Sequence, residues 1–461
     1  MFLTVSKMSE TIAVIGSGIS GLATAWLLSQ SNQGQRNQVT LIESKNYVGG
    51  HTHTIEVQDG EVQDGEHKLP VDTGFIVYNE PNYPLLTRLF ERLKVATREG
   101  DMSFSASIGP GRIEYSGDSL NTIFAQRRNL LSPSFLRMLA DMLRFNSRCK
   151  RLLAGPGFDG LSLGEFLDRE HLGQPFRDHY LLPMAAAIWS CPPRTMMAFP
   201  AESMARFFHN HGLLNIVDRP LWRTVVGGSQ AYVKRILDDI GQDRVLMDGA
   251  IGVSRQDDQV AVRLRSGNTL KFDKVVMACH ADQALALLDP PTNEEAALLG
   301  RFRYQPNRTF LHTDTALMPR LRRVWAAWNY IAGDAENGER AVSVTYWMNR
   351  LQGLAGTRDY LVSLNPLHDP APEHIIADMT YDHPVFDGAA VAAQKDLHRL
   401  QGRDRIWYCG SYFGYGFHED GLKAAVDAAT LLGADTGWLT GEPLRPNPAN
   451  QSPAAALEAA A

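Results

Sequence analysis

Cysteine is scarce: four in 461 residues, Cys149, Cys191, Cys279 and Cys409, widely spaced and never in a CxxC pair. That pattern implies neither a disulfide framework nor a cysteine-based zinc site, and no metal is expected. Long apolar runs are missing as well. The longest, near Tyr180 to Trp189, contains Pro183 and falls well short of the roughly 20 residues that cross a bilayer. No secretory leader is visible at the start, where Met8 is an alternative initiator, so a cytoplasmic protein is expected. A basic excess is also lacking: the net charge of −6 speaks against a general binder of nucleic acid. Internal repeats are absent, and the only biased segment is the Pro, Asn and Ala tail after Glu442, whose last residues, Ala454 to Ala461, read as a cloning remnant.

What is there begins at Thr11. An apolar β-branched run enters Gly16, Gly18 and Gly21, with Ile19 and Ser20 opening a helix between them. The first glycine suits a tight turn, the second a close approach to a pyrophosphate, and the third a close packing of helix on strand. Free N–H groups and the positive dipole end of that helix would then hold the phosphates. A second apolar run, Val39 to Ile42, ends in Glu43, placed to bond a ribose hydroxyl. Strand, glycines, helix, strand and acid in that order point to a dinucleotide site.

The order of signals predicts an α/β chain: a Rossmann-like nucleotide domain carrying a mixed α+β substrate or cap domain. The predicted segments are nucleotide-binding at 8–100, a mainly helical cap at 101–223, a second nucleotide-binding part at 224–300, substrate-domain strands at 301–395, a final nucleotide-binding motif at 396–440 and a tail at 441–461. PVDTGFIVY reads as hairpin-like, and amphipathic helical runs are expected at Ser119 to Leu153, Leu163 to Leu167 and Ala201 to Leu214. Between Gln126 and Arg151, seven basic residues face one acid, Asp141, and alternate with leucine, methionine and phenylalanine. Two readings stay open for it: a basic amphipathic helix resting on an anionic membrane at its inner face, or a solvated helix covering the substrate domain.

Further motifs carry a resemblance. Tyr47-Val48-Gly49-Gly50-His51, Asp72-Thr73-Gly74-Phe75, Val226-Gly227-Gly228 as a glycine pair ahead of a strand, Cys409-Gly410 and Asp420-Gly421-Leu422 follow one another as in the flavin amine oxidase, protoporphyrinogen oxidase and phytoene desaturase superfamily, which the chain resembles over nearly its whole length. The resemblance implies non-covalently bound FAD and an amine-oxidase-like two-domain architecture. It assigns to FAD Gly16, Gly18, Ile19, Ser20, Gly21, Glu43, Gly49, Gly50, His51, Thr52, Thr73, Gly74, Phe75, the backbone of Val245, Gly410, Ser411, Asp420, Gly421 and Leu422. Departures are plain. His51 stands where arginine is usual, Gln305 to Thr309 where many amine oxidases carry a flavin-contacting lysine, and His418 where they carry a cage tyrosine.

Within that superfamily, CGSYFGYGFHEDGLKAAVDA, YVGGHTHTIEV and VDTGFIVYNEPNYP resemble a bacterial group of FAD-binding proteins associated with cyclopropane-fatty-acid-synthase-like methyltransferases. This implies an oxidoreductase that oxidises or desaturates a fatty-acyl chain of a lipid. An oxidase of amines or other small molecules, and a redox-neutral flavin isomerase, are the alternatives. No second GxGxxG follows another strand, so electrons are expected to come from the substrate and pass to oxygen, a quinone or another carrier. The candidate catalytic residues are His418, as proton handler, Glu419, to orient it or to cap a helix beginning at Gly421, and Tyr412, which with Tyr415 is placed to line the flavin face. His53 is a further candidate FAD contact, while His209 and His211 lack ligand spacing and read as surface or core histidines.

Overall fold

The computed structural model describes residues 10–30, 37–62, 65–155, 160–189, 196–215, 220–336 and 339–440. Met8, Cys191 and the tail from 441 lie outside them. Its organising element is a five-stranded parallel sheet ordered Val245–Leu246, Gln38–Ile42, Thr11–Ile15, Lys274–Met277, Ile406–Tyr408. The strands are short, β-branched and covered on both faces, as buried parallel strands require. Segments distant in the chain meet there: Ile12 lies between Val39 and Lys274, and Val275 beside Ile406.

One face of this sheet carries the helix Ile19–Ser29, in which every residue from Ile19 to Leu28 is buried. A helix apolar all round must be enclosed on all sides. Here the sheet, the helix Gln230–Ile240 and the final long helix, His418–Leu431, enclose it. Small residues permit the approach. A Cβ on Gly21 would stand 1.8 Å from the carbonyl oxygen of Gly16, and Ser20 Oγ donates to the carbonyl of Gly421 at 2.9 Å.

A second, seven-stranded sheet runs Ile375–Val385, Arg303–His312, Leu361–Leu364, Glu339–Trp347, Trp328–Glu336, Phe104–Ile108, Ile113–Ser116. Its last two strands come from the segment expected to be mainly helical. Outside them lies a helical layer whose core includes Phe135, Phe145, Phe166, Phe176 and Phe208. Its long helix, Pro133–Ala154, starts later than the sequence pattern suggests, because Ser132 accepts from the amide of Phe135 and Pro133 takes the first helical turn. The residues before it form a short helix, Leu120–Ile123, and a 3₁₀ turn, Arg127–Leu131.

Two local expectations fail. The hairpin is Thr54–Val62 with Gly65–Asp72, so PVDTGFIVY supplies only the end of its second strand, Pro70 to Asp72, and then turns to run beneath His51. Val226-Gly227-Gly228 precedes the helix Gln230–Ile240 rather than a strand.

Candidate functional site

The site is built where the first strand ends. Gly16 has φ +104°, and any Cβ there would meet the carbonyl oxygen of Ala278 at 2.8 Å, so the turn demands glycine. Gly18 is different: a Cβ would meet nothing within 4 Å, and no side chain caps the helix that starts beside it. Open space over uncapped helical N–H groups is the shape a pyrophosphate needs. Gly50 closes one side, since its own Cβ would touch the Cα of Gly18 at 2.9 Å.

Glu43 is buried at the end of its strand and accepts from Ser17 N at 3.0 Å, from the Ser17 hydroxyl and from Lys45 N at 2.7 Å. The Ser17 hydroxyl in turn accepts from Gly49 N at 3.1 Å, tying the glycine pair to the glycine turn. Val245 lies on the neighbouring edge strand, with Leu246 O accepting from Glu43 N at 2.9 Å.

Beyond Gly50 the chain folds back on itself. Phe75 N donates to His51 O at 2.8 Å and Thr73 N to His53 O at 2.9 Å, which seats Thr73, Gly74 and Phe75 beside the His51–His53 segment. Phe75 stacks on His418 with ring centres 3.8 Å apart. His418 Nε2 lies 3.1 Å from Thr52 Oγ1 and 2.9 Å from the Tyr232 hydroxyl. Desolvation pushes its pKa down to about 3, so the ring is uncharged at neutral pH rather than poised to titrate there.

The other two catalytic candidates are placed elsewhere. The final helix begins at His418, not at Gly421, and Glu419 turns away to cap a different helix. Its oxygens accept from Leu85 N at 2.8 Å and Leu86 N at 3.0 Å, at the start of Pro84–Arg92. It does not orient His418. Tyr412 is a core residue packed on Phe302 at 5.3 Å, its buried hydroxyl without a partner. Tyr415 is exposed. Asp420 accepts from Tyr415 N at 3.0 Å and Phe417 N at 2.9 Å, and so caps its own turn, while Leu422 is fully buried in the core. Gly410 and Ser411 follow the Ile406–Tyr408 strand; a Cβ on Gly421 would approach Ser411 N at 3.7 Å, beside Ser20.

A cluster of imidazoles escaped sequence reasoning because its members come from separate segments. His51 lies 5.4 Å from His383, 6.1 Å from His280 and 5.1 Å from Tyr381, measured between ring centres, and its Nε2 is buried without a partner. Asn307 donates to His383 Nδ1 at 3.0 Å, which leaves the His383 proton on Nε2. Asn307 falls in the stretch where many amine oxidases have lysine. Burial lowers the pKa of all three histidines, that of His383 to about 4. His53 joins through its Nδ1, 2.9 Å from the Tyr381 hydroxyl, which also bonds Thr73 Oγ1 at 2.7 Å. An orphaned imidazole nitrogen beside the Gly50–Gly18 contact suits a polar group of FAD, and the cradle as a whole fits that cofactor.

Of the two histidines that lack ligand spacing, His209 is exposed and His211 belongs to the cap. His211 stacks on Phe207 at 3.9 Å and its Nδ1 sits 2.9 Å from the Phe207 carbonyl oxygen; no metal-ligating group occurs among the described residues. Cys409 is buried against Thr24, 3.6 Å from its hydroxyl.

Comparisons with known proteins agree with this geometry. The family model for flavin containing amine oxidoreductase matches residues 19–350. A putrescine oxidase bound to putrescine is similar at 16% identity and TM-score 0.62, covering 92% of this chain and 99% of that one. A CLA-producing fatty acid isomerase from P. acnes is similar at 16% identity and TM-score 0.62, covering 93% and 100%. Reduced UDP-galactopyranose mutase is similar at 14% identity and TM-score 0.61, covering 94% and 98%. A search of curated proteins returned no match. The three structures share the fold, and the family match extends from the helix Ile19–Ser29 through most of the second sheet: the chain belongs to the flavin-containing amine oxidoreductases and is an FAD-dependent oxidoreductase.

Proposed function

We propose that the protein oxidises or desaturates a fatty-acyl chain of a lipid, or of a related apolar substrate. The observation that carries this reading is the aromatic packing around His418. Phe75 stacks on it, and the adjoining Phe417 stacks on Phe207 of the cap at 5.2 Å. The two neighbouring carboxylates are spent on backbone amides, and burial raises their pKa, to about 7 for Glu419 and about 6 for Asp420. A cationic amine would find little there to offset its desolvation, whereas a methylene chain loses nothing by entering.

Bound FAD supplies the hydride acceptor in this reading. His418 acts as a positioning residue: its neutral ring holds Thr52 and Tyr232, and with them the loop that carries Gly49, Gly50 and His51. Oxygen, a quinone or another carrier takes the electrons onward.

The family match makes oxidation of an amine the second reading. An anaerobic absorbance titration of the FAD-loaded protein separates the two. Loss of the visible flavin band with phospholipids bearing methylated or cyclopropane acyl chains, and not with a panel of amines, supports the acyl-chain reading. Loss with amines alone overturns it.

A further inference from the structure

The long cap helix Pro133–Ala154 hides one face and bares another. Phe135, Met138, Asp141, Phe145, Asn146 and Cys149 are its buried residues. The outward face presents Leu136 and Leu143 together with Arg137, Arg144, Lys150 and Arg151. The turn before it continues the pattern, with Leu130 and Leu131 exposed beside Arg127 and Arg128, and Leu120 exposed just upstream. Leu131 is 87% exposed and Leu120 75%. The one acid within the helix is withdrawn: Asp141 is buried, accepting from Gly173 N at 2.9 Å and Arg144 at 2.8 Å. Asp118, at the edge of the patch, is engaged by Arg350 at 2.8 Å.

We infer that this face docks on an anionic lipid surface, the leucines entering the acyl boundary while the arginines and lysine meet the headgroup phosphates. Charge complementarity selects the occupant. Cationic side chains flanking leucines on a convex helix face suit a bilayer interface, where apolar and anionic layers are stacked within one side-chain length. A nucleic acid would have no use for the leucines, and a protein groove would be needed to seat residues spread over a helix and the turn before it. The location fits the chemistry proposed above, on which its functional meaning rests. The inner side of this helix packs on Ala201–Asn210, and Phe207 of that helix stacks on Phe417, next to His418. Only one helical layer separates the docking face from the residues around His418.

The test uses the full chain loaded with FAD and no turnover, so its failure is distinct from failure of the acyl-chain chemistry. Sedimentation is measured with vesicles of phosphatidylglycerol and phosphatidylethanolamine, and with vesicles of phosphatidylcholine alone. Binding to the anionic vesicles and not to the neutral ones is expected, weakening as salt is raised. The double variants Leu130→Ser/Leu131→Ser and Arg127→Glu/Arg128→Glu should each bind about tenfold more weakly. Leu431→Ser, which removes a leucine 62% exposed on the final helix, should bind as the parent does. Unchanged flavin absorbance and Tm confirm folded variants. Absence of vesicle binding in the parent, or parental binding by either double variant, overturns the inference.

Discussion

Two helices of similar leucine richness have opposite fates. Ile19–Ser29 is buried from Ile19 to Leu28 and carries no charge; Pro133–Ala154 buries a single stripe and leaves leucine and arginine outside. The first is enclosed by a sheet and two helices, the second is covered from one side. Apolar content therefore does not say whether a helix is core. What decides is whether the rest of the chain supplies cover for every face, and where it does not, the leucines left over mark a surface for something else.

Substitutions can break this contrast. The largest effect is expected for Gly21→Val, whose side chain would collide with the carbonyl of Gly16. The protein should be insoluble or devoid of FAD, and a soluble yellow variant would show that the helix and the glycine turn can separate. Phe145→Ala opens the cap core, where Phe145 touches Phe176 at 5.3 Å and Phe208 at 5.9 Å. A cost of about 3–5 kcal/mol is expected in urea unfolding, with FAD content preserved at low temperature. Loss of FAD in step with stability would tie the cap to the nucleotide domain more closely than the contrast allows.

Acid gives a smaller test. The folded state holds His418 near pKa 3, whereas the unfolded chain takes up a proton near 6.5. Its contribution is fully present above 6.5 and is lost as pH falls toward 3, because the unfolded state binds the extra proton. Between pH 6.5 and 5 this amounts to up to about 2 kcal/mol. The wild type should lose that much more stability than His418→Gln over the same interval, and equal losses would remove the buried-imidazole account. The smallest effect belongs to Leu143→Ser on the bare face: within about 0.5 kcal/mol in thermal unfolding. A large loss would mean that Leu143 packs against protein after all.

How far the sequence could be read follows the same division between local and distant contacts. The glycine turn, Glu43 and the helix at Ile19 are legible because a strand–turn–helix junction is specified by residues within a few positions of one another. The cofactor contact at Val245 and the pair Gly49-Gly50 entered through resemblance; the structure pairs Val245 with Leu41, on the strand next to that turn, and sets Gly50 against Gly18. The histidine cluster was invisible, since His51, His280 and His383 share no spacing and meet only through tertiary packing. Glu419 was misread for a related reason: its partners, Leu85 and Leu86, lie more than 330 residues away. Its position beside His418 suggested a local role that the helix geometry does not grant. The hairpin of Thr54 to Asp72 carried a signal of its own, the Asp64-Gly65 dipeptide typical of hairpin turns, which the neighbouring Asp72-Thr73-Gly74 turn obscured.

The parallel sheet also sets a schedule for making the protein. Its second strand in sequence order follows the first at once, but the strand at Lys274 must be synthesised before the other side of Thr11–Ile15 is paired, and Ile406–Tyr408 arrives almost last. The helix that covers Ile19–Ser29 comes later still. For most of its time on the ribosome the nascent chain thus exposes one of its most apolar helices without the cover it will have. Chaperone demand should be concentrated in that interval, and cofactor capture should mark its end.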